Sequence, residues 1–139
     1  MREAIDASAA ALGNVRPPLM LDVLAPRWPE SLGRFDALYC ANMLHIAEWA
    51  TCAALMRGAA RHLAPGGALV LYGPYLVDGE PTAPGNVAFD ADLRRRNAAW
   101  GVRRLADVSA EAERTGLAFE RRFDMPANNL MLVFRRTAG

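Results

Sequence analysis

Residues 34–46, reading Arg-Phe-Asp-Ala-Leu-Tyr-Cys-Ala-Asn-Met-Leu-His-Ile, constrain this chain more than any other stretch. A near-continuous apolar run over 35–41 ends in two polar residues, Asn42 and His45. A run of that kind predicts a strand buried on both faces, as in parallel sheets lying under helices. The following residues define the connection. From 48 to 63, Trp49, Cys52, Met56, Ala60 and Leu63 recur at helical spacing, with Arg57 and Arg61 on the opposite side. Pro65, Gly66 and Gly67 stop that helix, and 68–72 is a second apolar run. Strand, helix, strand is a βαβ unit, whose crossover is nearly always right-handed. The chain is therefore expected to be α/β. In open α/β sheets ligands sit beyond the carboxyl ends of the strands, which is where Asn42 and His45 stand.

The flanking sequence adds elements to this unit. Residues 2–12 read as an Ala-rich helix stopped by Gly13 and Asn14, and 19–24 as a buried strand carrying a lone acid, Asp22. Residues 73–85 form a loop with three prolines, longer than connections usually run and so expected to be functional or mobile. Helices are predicted over 89–96 and 109–115, the second capped by Asp107 or Ser109 and stopped by Gly116. Residues 117–123 and 130–135, joined by Met125-Pro126-Ala127-Asn128-Asn129, read as an antiparallel pair added to the parallel sheet. No repeat or linker divides the 139 residues, a length that suits one domain with its own core.

Composition removes several functional classes. Sixteen basic residues oppose fifteen acidic ones, so no global field draws nucleic acid or membrane. Every basic residue is arginine, and with lysine and glutamine absent and alanine abundant this bias reads as a GC-rich bacterial genome. Cys40 and Cys52 lie in apolar segments and read as free thiols. No apolar leader opens the sequence and its longest apolar stretch is too short to span a bilayer, which points to a cytoplasmic protein.

The candidate chemistry is sparse. Asp22 suits a hydrogen bond to a ribose or adenine amino group, or else a turn cap. Asn42 and His45 suit orientation of a ligand, or else a turn cap and a packed ring. His45 and His62 are too far apart, without clustered carboxylates or thiols, to suggest a metal site. No G-x-S-x-G elbow supports a nucleophilic triad. Gly66-Gly67 enters a strand instead of opening a helix, so it is no phosphate cradle. Arg94-Arg95-Arg96 and Arg103-Arg104 suit either phosphate or a solvated face. Asn128-Asn129 suits a hairpin turn or a ligand loop.

Several segments together resemble one family: Arg16-Pro17-Pro18-Leu19-Met20-Leu21-Asp22-Val23, Asn42-Met43-Leu44-His45-Ile46, Leu71-Tyr72-Gly73-Pro74-Tyr75, Asn86-Val87-Ala88-Phe89-Asp90, Trp100-Gly101-Val102-Arg103 and Met125-Pro126-Ala127-Asn128-Asn129-Leu130. Their order and spacing are similar to the domain of unknown function 938, a methyltransferase-like family related to class I S-adenosylmethionine-dependent methyltransferases. The resemblance implies a Rossmann-like methyltransferase sheet, here strands three to seven of the family with the last antiparallel, over the whole chain. It places 19–24 as strand three, 35–41 as strand four and 68–72 as strand five. It implies S-adenosylmethionine as cofactor, held by Asp22, Val23, Asn42, Met43 and His45. Tyr72, Gly73 and Pro74 would line the acceptor side, with Asn86, Phe89, Asn128 and Asn129 closing over a small-molecule or protein methyl acceptor.

One departure from the family carries its own expectation. The family's opening strand, glycine-rich loop, helix and second strand have no counterpart here, so Met1 falls in the helix after the second strand. The amides that cradle the methionine end of the cofactor are then missing. Residues 35–41 would also present a bare apolar edge, and unpaired edges invite association. Two readings follow. One is a methyltransferase or its C-terminal portion; the other is a silent, truncated domain that pairs through that edge with itself or a partner.

Overall fold

The computed structural model describes residues 12–137, and the helix expected from residue 2 falls outside them apart from Leu12. The βαβ unit forms as the sequence indicates. Strand β1 is Phe35–Ala41, helix α1 is Ala50–His62 and strand β2 is Leu63–Gly73. The two strands are parallel, with Tyr39 opposite Val70 and Ala41 opposite Tyr72. After β2 come β3 (Tyr75–Leu76), α2 (Pro84–Arg96), β4 (Arg103–Arg104), α3 (Leu105–Glu113), β5 (Leu117–Met125) and β6 (Asn129–Arg136).

The main sheet runs β1-β2-β6-β5, with β6 antiparallel to both neighbours. A second, two-stranded sheet pairs Tyr75 with Arg103 and Leu76 with Arg104, and so draws the long loop after β2 toward the segment before α3.

Helices α1 and α3 cover one face of the main sheet. Cys52, Leu55, Met56 and Ala59 of α1 and Val108 and Ala112 of α3 pack with Leu69, Leu71, Leu132 and Phe134, whose alternate positions face the same way. Each fully buried Leu or Phe stabilises the fold by about 1.5–3 kcal/mol relative to exposure. No helix among the described residues is long and apolar enough to cross a membrane.

Three expectations are corrected. Residues 19–24 form no strand: Leu19 is 69% exposed and Met20 78%. An apolar run becomes a strand only where a neighbour completes its hydrogen bonds, and no described strand lies beside it. Strand β1 is not buried on both faces, because it is the outer strand of the described sheet and Tyr39 stays 63% exposed. Both later helices start early. Helix α2 begins at Pro84, whose fixed φ and missing N–H suit a first turn. Helix α3 leaves β4 directly at Leu105, and neither Asp107 nor Ser109 caps it.

Candidate active site

The carboxyl edge of β1 and β2 opens into a cleft of about 530 Å³. Asn42 and His45 line it from the turn after β1, and Pro74 from the end of β2. Gly85, Asn86 and Phe89 come from the first turns of α2, and Ala127, Asn128 and Asn129 from the β5–β6 connection. A smaller cleft of about 260 Å³ adjoins it, sharing Asn86, Asn128 and Asn129 and adding Tyr75, Glu80, Arg122 and Asp124.

Backbone conformation marks the larger cleft. Asn42, Ala127 and Asn128 have φ of 54°, 61° and 59°, and they are the only non-glycine residues with positive φ among those described. All three line this one cleft. Asn adopts the left-handed region with little strain, whereas an alanine there is strained by about 1–2 kcal/mol. Such strain concentrates at functional sites, where surrounding structure holds it in place. The Asn86 side-chain amide donates to the Asn128 carbonyl at 3.1 Å and so fixes the strained turn to α2.

His45 is held from three sides. Its ring meets Phe89 edge-on at 5.4 Å between centroids. Its carbonyl accepts from the Gly101 amide at 3.1 Å. Arg103 clamps the turn around it, donating to the Leu44 carbonyl at 3.1 Å, the Ala47 carbonyl at 2.8 Å and the Ala99 carbonyl at 2.7 Å. Burial, and secondarily the Arg103 charge, hold the His45 pKa below its usual value, so the imidazole is neutral at pH 7. Neither ring nitrogen has a hydrogen-bond partner among the described residues, which leaves the ring able to engage a ligand. A side chain at Gly73 would place its Cβ 3.5 Å from Asn42 Oδ1 and 3.8 Å from the His45 ring, filling the space between them.

Of the residues expected to hold a ligand, Asn42, His45, Pro74, Asn86, Phe89, Asn128 and Asn129 come together in this cleft, and Gly73 lies beside Asn42 and His45 without lining it. The others are elsewhere. Asp22 Oδ1 accepts from the Leu24 amide at 3.0 Å in an exposed turn. The Val23 carbonyl accepts from the Trp28 indole at 3.2 Å, and its side chain packs on the core. Met43 packs on the core, its sulfur 3.9 Å from Cys40 Sγ. Tyr72 contributes its carbonyl to the Asn42 amide at 2.8 Å. The arginine runs are engaged within the fold: Arg94, Arg95 and Arg96 pair with Asp90 and Asp92, and Arg104 with Asp78 at 2.6 Å. Sequence reasoning missed Arg103 as the clamp of the His45 turn and Ala127 as a strained lining residue. A run of two arginines and a lone alanine carry no local signal for either role.

The parallel βαβ unit with its antiparallel last strand gives a methyltransferase-like fold by its match to solved structures. The chain superimposes on the pyocyanin biosynthetic protein PhzM with a TM-score of 0.76 at 22% identity, covering 98% of this chain and 39% of that one. An O-methyltransferase family protein from Burkholderia thailandensis matches with a TM-score of 0.79 at 18% identity, over 99% of this chain and 41% of that one. The mitomycin 7-O-methyltransferase MmcR gives 0.77 at 20%, over 98% and 38%. The chain thus spans about two-fifths of the length of the structures it matches. The chain belongs to the family described as protein of unknown function (DUF938), which matches residues 1–136.

Proposed function

We propose that this chain carries the methyl-transfer end of an S-adenosylmethionine-dependent methyltransferase. The observation behind it is the convergence of Asn42, His45, Phe89 and the strained 127–128 turn on one cleft at the carboxyl edge of the sheet. Its fold relatives include the human N-acetylserotonin methyltransferase with the cofactor and CalO1 with its demethylated product, which supports the same ligand here.

The described residues fit one end of that ligand. Gly73 leaves space between Asn42 and His45 that a side chain would fill. The adenosine end has no such counterpart among them, since Asp22 is engaged with Leu24 in an exposed turn. Bound S-adenosylmethionine supplies an electrophilic methyl on a positively charged sulfur. The chain's own contribution is position: Asn42 offers amide donor and acceptor groups, and neutral His45 accepts a hydrogen bond from an acceptor hydroxyl or amine. Phe89 meets the His45 ring edge-on and so holds its orientation. Orientation of this kind accounts for several kcal/mol of a transfer barrier. Calorimetric titration with S-adenosylmethionine tests the reading. Binding that weakens about tenfold in Asn42→Ala supports it, and the absence of heat at about millimolar ligand rejects it.

A second reading rests on the outer position of β1 and on exposed Leu19, Met20 and Tyr39. In it the chain is catalytically silent and associates with a second copy through that edge. A lack of cofactor binding together with a dimer in light scattering favours this reading; a monomer counts against it.

A further inference from the structure

A third cleft lies at the opposite end of the sheet, and its lining differs in kind. Arg34 enters it from just before β1, Arg57 and Arg61 from the last turns of α1, and Arg136 from the end of β6, with Ala60 and Thr115 completing the wall. Because β6 is antiparallel, its carboxyl end lies at the amino-terminal edge of β1 and β2, so this cleft is separate from the one around His45. Its volume is about 420 Å³ and no carboxylate lines it.

Four arginines without a carboxylate partner among the described residues meet in this one cleft. The chain holds fifteen acids against sixteen bases, enough to pair nearly every arginine. Arg94, Arg95, Arg104, Arg122 and Arg135 each have a carboxylate partner within 3.2 Å, and Arg103 and Arg121, which have none among the described residues, each lie over an aromatic ring. Among the described residues, Arg34, Arg57 and Arg61 have neither an ion pair nor a hydrogen bond, while Arg136 donates to the Leu63 carbonyl. Arg57 and Arg61 are also one turn apart on the same helix, a spacing at which like charges repel. The helix dipole favours basic residues near the end of α1, which accounts for Arg61. It does not account for Arg34 and Arg136, which arrive from other elements.

We infer that this cleft binds a small phosphorylated anion, with Arg34, Arg57, Arg61 and Arg136 as its ligands. Guanidinium groups match phosphate oxygens in paired hydrogen bonds, and four of them exceed what one carboxylate neutralises. The cluster is confined to one cleft on a chain of net charge +1, whereas nucleic acid needs an extended basic surface. Inorganic polyphosphate and a nucleoside polyphosphate share this chemistry.

Calorimetric titration with sodium pyrophosphate and, separately, with adenosine diphosphate tests the assignment at low salt. Binding of pyrophosphate is expected, weakened at least about tenfold in Arg57→Ala/Arg61→Ala and unaffected in Arg94→Ala/Arg95→Ala. Equal affinities for the two probes assign recognition to the phosphates alone, and a tighter diphosphonucleoside assigns a nucleotide; both support the site. Removing two repelling charges leaves the fold at least as stable, so the melting temperature of the double variant is expected to hold or rise. Three results overturn the inference: no binding at about millimolar pyrophosphate, binding unchanged in the Arg57/Arg61 variant, or steeply salt-dependent binding of a short single-stranded RNA with none of pyrophosphate.

Discussion

At the scale of single residues, position 58 shows how distant sequence decides local identity. A glycine in mid-helix normally lowers stability by about 1 kcal/mol relative to alanine. Here a Cβ at Gly58 would lie 2.1 Å from the Trp28 indole, which rests on α1 at that point and is itself only 6% exposed. Gly58→Ala is therefore expected to lower stability by about 1–3 kcal/mol through overpacking, in spite of its better helix propensity. Thermal denaturation reads the sign, and a rise in melting temperature would show that Trp28 does not lie there. Ala127 predicts the reverse. At φ 61° its strain of about 1–2 kcal/mol is relieved by glycine, less about 0.4–1 kcal/mol for the freer unfolded chain. Ala127→Gly should raise the melting temperature slightly while loosening the cleft. His45 gives a pH dependence. Burial and then Arg103 hold its folded pKa below the ordinary 6.5, so the unfolded chain takes up the proton first. Its contribution to stability is complete above that value and is lost as pH falls through it toward the depressed folded pKa. Melting temperature should therefore fall more steeply from pH 7 to 5 in the native chain than in His45→Gln. Parallel curves would remove His45 from the account.

At the scale of elements, legibility followed how local the determining forces were. The β1–α1–β2 unit was readable because its periodicities are local, although the helix ends at His62 and the expected Pro65-Gly66-Gly67 stop falls inside β2. The starts of α2 and α3 were not, since neither has a side-chain cap to announce it. Residues 19–24 misled because an apolar run records a tendency to be buried or paired, and pairing depends on a neighbour the run does not encode. Trp28 is what holds that region: its indole donates to the Val23 carbonyl and its ring stacks on His62 at 5.7 Å. His62 Nδ1 donates to the Gly33 carbonyl at 2.7 Å, and Nε2 is buried with no partner among the described residues. Helix α1 offers its own test. Cys52 is fully buried on it, and burial, aided by Glu111, pushes the thiol up to about 12. Iodoacetamide at pH 8 is expected to spare Cys52 in the folded chain, so that its alkylation reports α1 opening; prompt modification without denaturant would contradict this packing.

At the scale of the whole molecule, the site was legible where topology alone placed it. Asn42 and His45 follow from the rule that ligands gather at the carboxyl edge of a parallel sheet, whereas Pro74, Asn86, Phe89, Asn128 and Asn129 were implied only by the family resemblance. Asp22 and Val23 depended on a strand that does not form. The opposite basic cleft was invisible, because its four arginines stand up to 102 positions apart, from 34 to 136, and only the fold assembles them. The sheet's outer edge carries the last consequence. The Asn42 amide bonds to Tyr72 of β2, and alternate residues along a strand direct their backbone groups to opposite sides. The N–H and C=O of Ala41, Tyr39 and Ala37 therefore face away from β2, where no described strand meets them. Beside them lies the face opposite α1 and α3, on which Tyr39, Val70 and Val133 share one row and Ala41, Tyr72 and Met131 the next. A bare edge continuous with an apolar face favours a second strand, and a charged side chain there opposes it. Light scattering at about 50 µM is expected to show self-association of the native chain, with Tyr39→Lys shifting it toward monomer by a tenfold or greater weakening, about 1.4 kcal/mol. A native chain that stays monomeric, or association untouched by Tyr39→Lys, would exclude β1 as the contact.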